Sequence, residues 1–180
     1  FMTLVKEKGF YKHFFTMMFL LVLQNIIALS VNLADNLMLG AYSENAMSGV
    51  ALVNQIQFLL QMLVLGVGEG LVVLASQYWG KGEVQPIKRL TSCALGVGLG
   101  AALALFAAVF SAPRFCLSLF TDQWVYVDEA VKYMNIICFS YPIFAVTNVL
   151  LASLRSVETV KIGYLVSFST LLINCTLNYI

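Results

Sequence analysis

Apolar residues run along this chain in five long blocks, at about Phe14–Leu39, Met47–Tyr78, Leu90–Phe110, Val131–Leu154 and Ile162–Ile180. A hydrocarbon core about 30 Å thick needs roughly 20 helical residues, so each block is long enough to cross it. Lipid cannot satisfy unpaired backbone groups, which leaves only helices or closed barrels as spanning structures. The blocks lack the short alternation of barrel strands. The pattern predicts an all-α, polytopic transmembrane bundle with five spans over residues 14–180, preceded by an arm at residues 1–13.

Short polar stretches separate the blocks: Gly40–Asn45, Gly80–Pro86, a third from Ser111 to about Ala130, and a fourth carrying Arg155, Glu158 and Lys161. The first block is too long for a cleaved signal peptide, and no small-x-small site follows it. The chain ends inside an apolar block, at Asn178-Tyr179-Ile180, and opens on Phe1, so the natural protein is expected to continue.

Composition sharpens the class. The chain is 61% hydrophobic and only 11% charged, with a mean hydropathy of +0.88. Soluble domains are nearer half apolar and a quarter charged, so the solvent here is lipid. The placement of charge says more than its sum. Lys6, Lys8 and Lys12, then Lys81, Lys88 and Arg89, then Arg155 and Lys161 all fall on one side of the predicted bundle, against Arg114 and Lys132 on the other. The positive-inside rule puts the N-terminus, second loop and fourth loop in the cytoplasm, which predicts a multi-pass protein of the plasma (inner) membrane. Trp79 and Trp124 stand at block boundaries, where aromatic belts form.

Several chemistries are disfavoured. Cys93, Cys116, Cys138 and Cys175 lie far apart and read as small buried hydrophobes. His13 is the single histidine, so a zinc site is not expected. No phosphate-binding loop, nucleophile elbow or basic nucleic-acid patch occurs, and the acids do not cluster as an enzyme would need. Gly96-Val97-Gly98-Leu99-Gly100 lies within an apolar helix with no preceding strand, and close helix packing explains it.

The candidate functional residues are the polar ones inside the blocks, since each costs free energy unless it faces other helices or water. Asn25, Asn32, Asp35 and Asn36 share one helical face in the first block. Asp35 reads either as an interfacial carboxylate or as a cation-binding or proton-carrying acid. A carboxyl in a poorly hydrated pocket keeps its proton to higher pH, so it can load and release protons near neutrality. Gly163, Ser167, Thr170, Asn174 and Asn178 form a small-and-polar stripe in the fifth block. It reads as helix–helix glue or as a cavity wall whose Asn174 and Asn178 carbonyls meet a cation. In the second block Asn54, Gln57 and Gln61 share a face, and Glu69 sits among Gly66, Gly68 and Gly70. Pro142 is expected to bend the fourth helix. Asn32, Asn36, Gln57, Gln61, Glu69 and Thr170 are candidates for lining a cavity.

Three stretches carry a family resemblance. Leu33-Ala34-Asp35-Asn36-Leu37-Met38-Leu39-Gly40, Ala75-Ser76-Gln77-Tyr78-Trp79-Gly80-Lys81-Gly82-Glu83 and Leu171-Leu172-Ile173-Asn174-Cys175-Thr176-Leu177-Asn178-Tyr179 resemble, in order, the first, second and fifth helices of multidrug and toxic compound extrusion (MATE) transporters. The resemblance implies a twelve-helix fold in two six-helix lobes, with most of the N-terminal lobe here and the C-terminal lobe missing. It implies alternating-access export of cationic or amphipathic drugs in antiport with H⁺ or Na⁺, without an organic cofactor or metal. It also implies a cation site at Asp35, Asn174 and Asn178. Some members carry a carboxylate where Asn178 stands, so Asp35 is the one acid of that set here; for Glu69 the resemblance supplies no role. A flippase for a lipid-linked precursor is the alternative within transport, and would call for a basic cavity that the spans lack. A non-transporting assembly subunit is the alternative outside it.

Overall fold

The computed structural model describes the backbone of residues 8–42, 44–121 and 124–179, and their side chains except at 8, 35–36, 38–39, 41–42, 44–46, 124–125, 129 and 177–179. Among these residues every regular element is helical: α1 Lys8–Tyr42, α2 Glu44–Gly80, α3 Val84–Ser111, α4 Pro113–Ser118, α5 Trp124–Ile137, α6 Ser140–Ser156 and α7 Val160–Tyr179. The protein is a helical membrane bundle. Gly9–Ala34, Met47–Gly80 and Val84–Ser111 are each long and apolar enough to cross a bilayer, and the bent pair α5–α6 has the length and composition of a fourth span or of a re-entrant loop. The fifth expected span corresponds to α7, whose described apolar part is Val160–Thr176.

Two compact units divide the chain: residues 36–157, and residues 1–35 with 158–180. The first is built around α2. Val53, Ile56, Leu60, Val64, Leu71 and Ala75 are buried at steps of three, four and seven, one continuous stripe of that helix. Against it pack α3, α5 and α6, through Ala94, Gly98, Ala102 and Val109, then Val127, Ala130, Met134 and Cys138, then Tyr141, Ala145, Val149 and Ala152. Small side chains recur because helices in lipid associate by close packing rather than by the hydrophobic effect. A Cβ placed on Gly68 would lie 3.3 Å from Ala152 Cβ, and one on Gly98 would lie 3.2 Å from Val149 Cγ2. The packing role expected of the glycine run therefore falls on Gly98; Gly96 and Gly100 face open space. Thr91 Oγ1 meets Ser153 Oγ at 3.0 Å, so contacts from Thr91 to Gly98 descend α6 from Ser153 to Val149. Hence α3 runs antiparallel to α6.

The α2–α3 turn shows how the sequence ends a helix. Glu83 N–H donates to Tyr78 O and Gly82 N–H to Trp79 O, at 3.0 Å each. This reciprocal cap needs a left-handed residue, and Gly82 supplies it at φ +74. Helix α3 then starts at Val84, six residues before the expected block. Pro86 is harmless in a first turn, where its missing N–H would have no partner, and Ile87 is already buried.

The third loop is more ordered than its polar residues suggest. Pro113 opens α4 at a position suited to its fixed φ. Leu117, Val127 and Ala130 are fully buried, and that burial draws α4 and the first turns of α5 into the bundle. The α5–α6 pair bends by 56° between Ile137 and Ser140. Pro142 cannot donate to Cys138 O, and Tyr141 N–H takes that carbonyl at 3.1 Å instead. Ser140 Oγ donates to Ile137 O at 2.6 Å and Cys138 Sγ to Asn135 O at 3.5 Å. Local side chains thus satisfy the backbone that the break exposes, as a membrane interior requires.

The second unit pairs α7 with α1 up to residue 35. Most large apolar side chains of α1 from Phe10 to Leu33 are exposed; Met17, Leu20, Leu21, Leu23 and Val31 are half-buried, and Ile27 is buried. A helix apolar all round suits lipid.

Candidate functional site

The unit of residues 1–35 and 158–180 holds the candidate cation seam. Two contacts tie its helices. His13 Nε2 lies 3.2 Å from Glu158 Oε2, and the Gln24 side-chain amide packs over Gly163, where an added Cβ would come within 3.1 Å of Oε1. Both contacts pair an earlier residue of α1 with an earlier residue of the α7 region, so the two helices run in the same direction.

That contact sets a register. Eleven residues make three helical turns plus about 20°, and advance about 16 Å. Eleven residues past Gln24 is Asp35; eleven past Gly163 is Asn174. By helical spacing, position 35 of α1 falls on the face of Gln24, and Asn174 of α7 on the face of Gly163. Ser167, Thr170 and Asn174 continue the Gly163 stripe. Ser167 and Asn174 are half-buried, whereas Thr170 is exposed and its hydroxyl donates to Val166 O at 2.9 Å. The side chains of Asp35, Asn36 and Asn178 lie outside the described residues. Asn32 is exposed, and Asn25 Nδ2 donates within its own helix to Leu21 O at 3.0 Å.

Gln24 is the residue that pattern reading passed over in favour of Asn25. A signal existed, because Gln24 and Asp35 are eleven apart while Asn25 and Asp35 are ten apart, some 80° round the helix.

In the unit of residues 36–157, Glu69 has a partner. Arg155 Nη1 donates to Glu69 Oε1 at 3.3 Å, one residue from the tight Gly68–Ala152 contact. The Arg155 side chain is 29% exposed and that of Glu69 58%, so the guanidinium is the more buried partner, and its Nε is buried with no acceptor among the described residues. Thr91 and Ser153 lie beside the pair. Sequence spacing cannot reveal a contact across eighty-six residues, and Arg155 had been read only as a loop charge.

Gln57 is half-buried and Gln61 exposed; neither lines the groove on this part of α2. An open groove of about 400 Å³ is walled instead by Ala51, Asn54, Gln55, Phe58, Leu59 and Phe120. Two amides among apolar and aromatic walls can hold an amphipathic molecule by ring contact and hydrogen bonding. Among the described residues no group of three His, Cys, Asp or Glu could hold a metal.

The MatE family model matches residues 21–180. The chain belongs to the MatE family. The match takes in Asp35, Glu69, Arg155, Asn174 and Asn178 and leaves His13 outside, in agreement with the resemblance carried by the three quoted stretches. Among curated relatives, a protein named probable multidrug resistance protein NorM from Thermotoga maritima is 24% identical over 159 residues, covering 87% of this chain and 34% of its own length. A namesake from Listeria monocytogenes is 23% identical over 169 residues, covering 94% of this chain and 37% of its own. This MatE chain thus spans about a third of the length of these relatives. No solved structure matches it.

Proposed function

We propose that this chain forms much of the N-terminal lobe of a secondary active exporter. It expels cationic or amphipathic organic compounds in antiport with H⁺ or Na⁺ by alternating access. The observation that carries the reading is the α1–α7 seam, in which Asp35 and Asn174 each follow the Gln24–Gly163 contact by eleven residues. Membership of the MatE family and relatives named for multidrug resistance support it.

In this reading Asp35 takes up the ion from the outer side, with amide oxygens of Asn174 and Asn178 completing its shell. Neutralising Asp35 removes the cost of holding a charge among apolar helices. The α1–α7 seam can then repack, which lowers drug affinity and releases drug outward. One monovalent ion moving down about 100 mV supplies about 2.3 kcal/mol. That sustains roughly a fiftyfold gradient of a neutral substrate.

The test is ethidium efflux by the full-length protein, with ionophores that collapse the H⁺ or the Na⁺ gradient singly. Asp35→Asn, a mimic of the neutralised acid, should abolish the part of efflux that one ionophore removes and weaken drug binding, while leaving expression intact. Wild-type rates in the variant would remove Asp35 from coupling.

A further inference from the structure

We propose that the projecting tip of the α2–α3 hairpin is a docking surface for anionic phospholipid, with Lys88 and Arg89 meeting the headgroup phosphate and Trp79 seated at headgroup depth. The contacts Glu69–Arg155 and Thr91–Ser153 hold α2, α3 and α6 level near the end of α6. Helix α6 stops one residue after Arg155, whereas α2 continues eleven residues past Glu69 to Gly80, and α3 begins seven residues before Thr91. At 1.5 Å per residue the hairpin outreaches α6 by about 6 Å on the α3 arm and about 15 Å on the α2 arm.

The projecting part has the chemistry of a bilayer interface. Leu71, Ala75 and Ile87 hold its two arms together, while Val73, Leu74, Trp79 and Val84 remain exposed. Three exposed cations, Lys81, Lys88 and Arg89, stand against the single carboxylate Glu83. Lys81 Nζ sits over the Tyr78 ring, 5.6 Å from its centroid. Lys88 and Arg89 form no ion pair among the described residues. Adjacent unpaired cations beside a tryptophan and an apolar skirt match a layer that is anionic at its surface and hydrocarbon beneath. The capped Gly82 turn fixes this geometry, so docking costs little ordering. The proposal is independent of the transported drug and of the coupling ion.

The experiment uses full-length protein in nanodiscs and reads Trp79 quenching by dibrominated phosphatidylglycerol or dibrominated phosphatidylcholine, with Trp79→Phe subtracted to isolate that residue. The anionic lipid should quench preferentially. The double variant K88Q/R89Q should lose up to roughly thirtyfold of that preference, two interfacial cations at about 1 kcal/mol each. K88R/R89K, which keeps both charges, should retain it and shows that the hairpin still folds. Equal quenching by both lipids in the wild type, an unchanged preference in K88Q/R89Q, or displacement of the lipid by millimolar inorganic phosphate would each overturn the proposal.

Discussion

Three glycines on one helix should respond with opposite signs to the same substitution. A Cβ on Gly98 would stand 3.2 Å from Val149 Cγ2, tighter than the 3.4–4 Å of ordinary contact, whereas nothing lies within 4 Å of Gly96 or Gly100. Val149 is fully buried between α2 and α3, so it has little room to give. Overpacking of this kind costs about 1–3 kcal/mol. Every Gly→Ala change in a helix also gains up to about 1 kcal/mol of backbone propensity. With that gain taken off, Gly98→Ala should lose up to about 2 kcal/mol, and Gly96→Ala and Gly100→Ala should be neutral or gain up to about 1 kcal/mol. Reversible unfolding in mixed micelles, followed by tryptophan fluorescence of the full-length protein, resolves a spread of this size. Val149→Ala should relieve the clash, so the double variant should be more stable than the two single losses predict, by about 1 kcal/mol. If Gly98→Ala is no worse than Gly96→Ala, or shows no coupling to Val149, the α3–α6 seam is not packed as described.

Three further outcomes follow from individual contacts. Tyr141 is 1% exposed and its hydroxyl has no partner among the described residues, so Tyr141→Phe should leave the thermal midpoint unchanged or raise stability by about 1 kcal/mol; a clear loss would reveal a partner for the hydroxyl. Pro142→Ala restores a donor for Cys138 O and should straighten the 56° bend, lengthening the spin-label distance between the start of α5 and the end of α6; an unchanged distance would place the cause of the bend elsewhere. The Glu69–Arg155 pair is long, at 3.3 Å, and half open to solvent on the Glu69 side, so a double-mutant cycle should give a coupling below about 1 kcal/mol that fades with salt.

Class and family were legible before any coordinates because both rest on local signals. A block of apolar residues reports its own length and solvent, and three short motifs in order report descent. Helix ends were harder to read, since tertiary burial sets them. Ile87 draws the start of α3 back to Val84, and Leu117 and Val127 turn a stretch of polar residues into α4 and the first turns of α5. Pairings were hardest. Glu69 looked like an isolated acid among glycines, and nothing in its neighbourhood names Arg155 eighty-six residues away. The polar faces fared in between. Helical spacing groups Gly163, Ser167, Thr170 and Asn174 on one face of α7, yet on α1 it cannot say whether Gln24 or Asn25 turns toward a partner.

The distinction between Gln24 and Asn25 bears on the whole ion-site proposal. One residue of uncertainty in a helix, about 100° of rotation, can carry a carboxylate from a protein seam to lipid, and the free energies differ by several kcal/mol for a charged group. Asn25 spends its amide on its own helix at Leu21 O, which is how a polar residue survives when no neighbour helix serves it. Gln24 instead lies over the bare backbone of Gly163, where an added Cβ would stand 3.1 Å from the amide oxygen and push the amide aside. A long polar side chain and a missing one are complementary, so this contact fixes the rotation of both helices as well as their height. Eleven residues at 100° each leave an offset of about 20°, so position 35 shares the helical face of Gln24 and Asn174 that of Gly163. Gly163→Leu should therefore do more than destabilise: by rotating or parting the seam it should impair ion coupling without touching any polar residue. The readout is the ionophore-sensitive fraction of ethidium efflux, compared with Gly9→Leu on the open side of α1, where an added Cβ meets nothing. Equal effects of the two substitutions would show that the Gln24–Gly163 contact does not set the register on which the Asp35–Asn174 proposal depends.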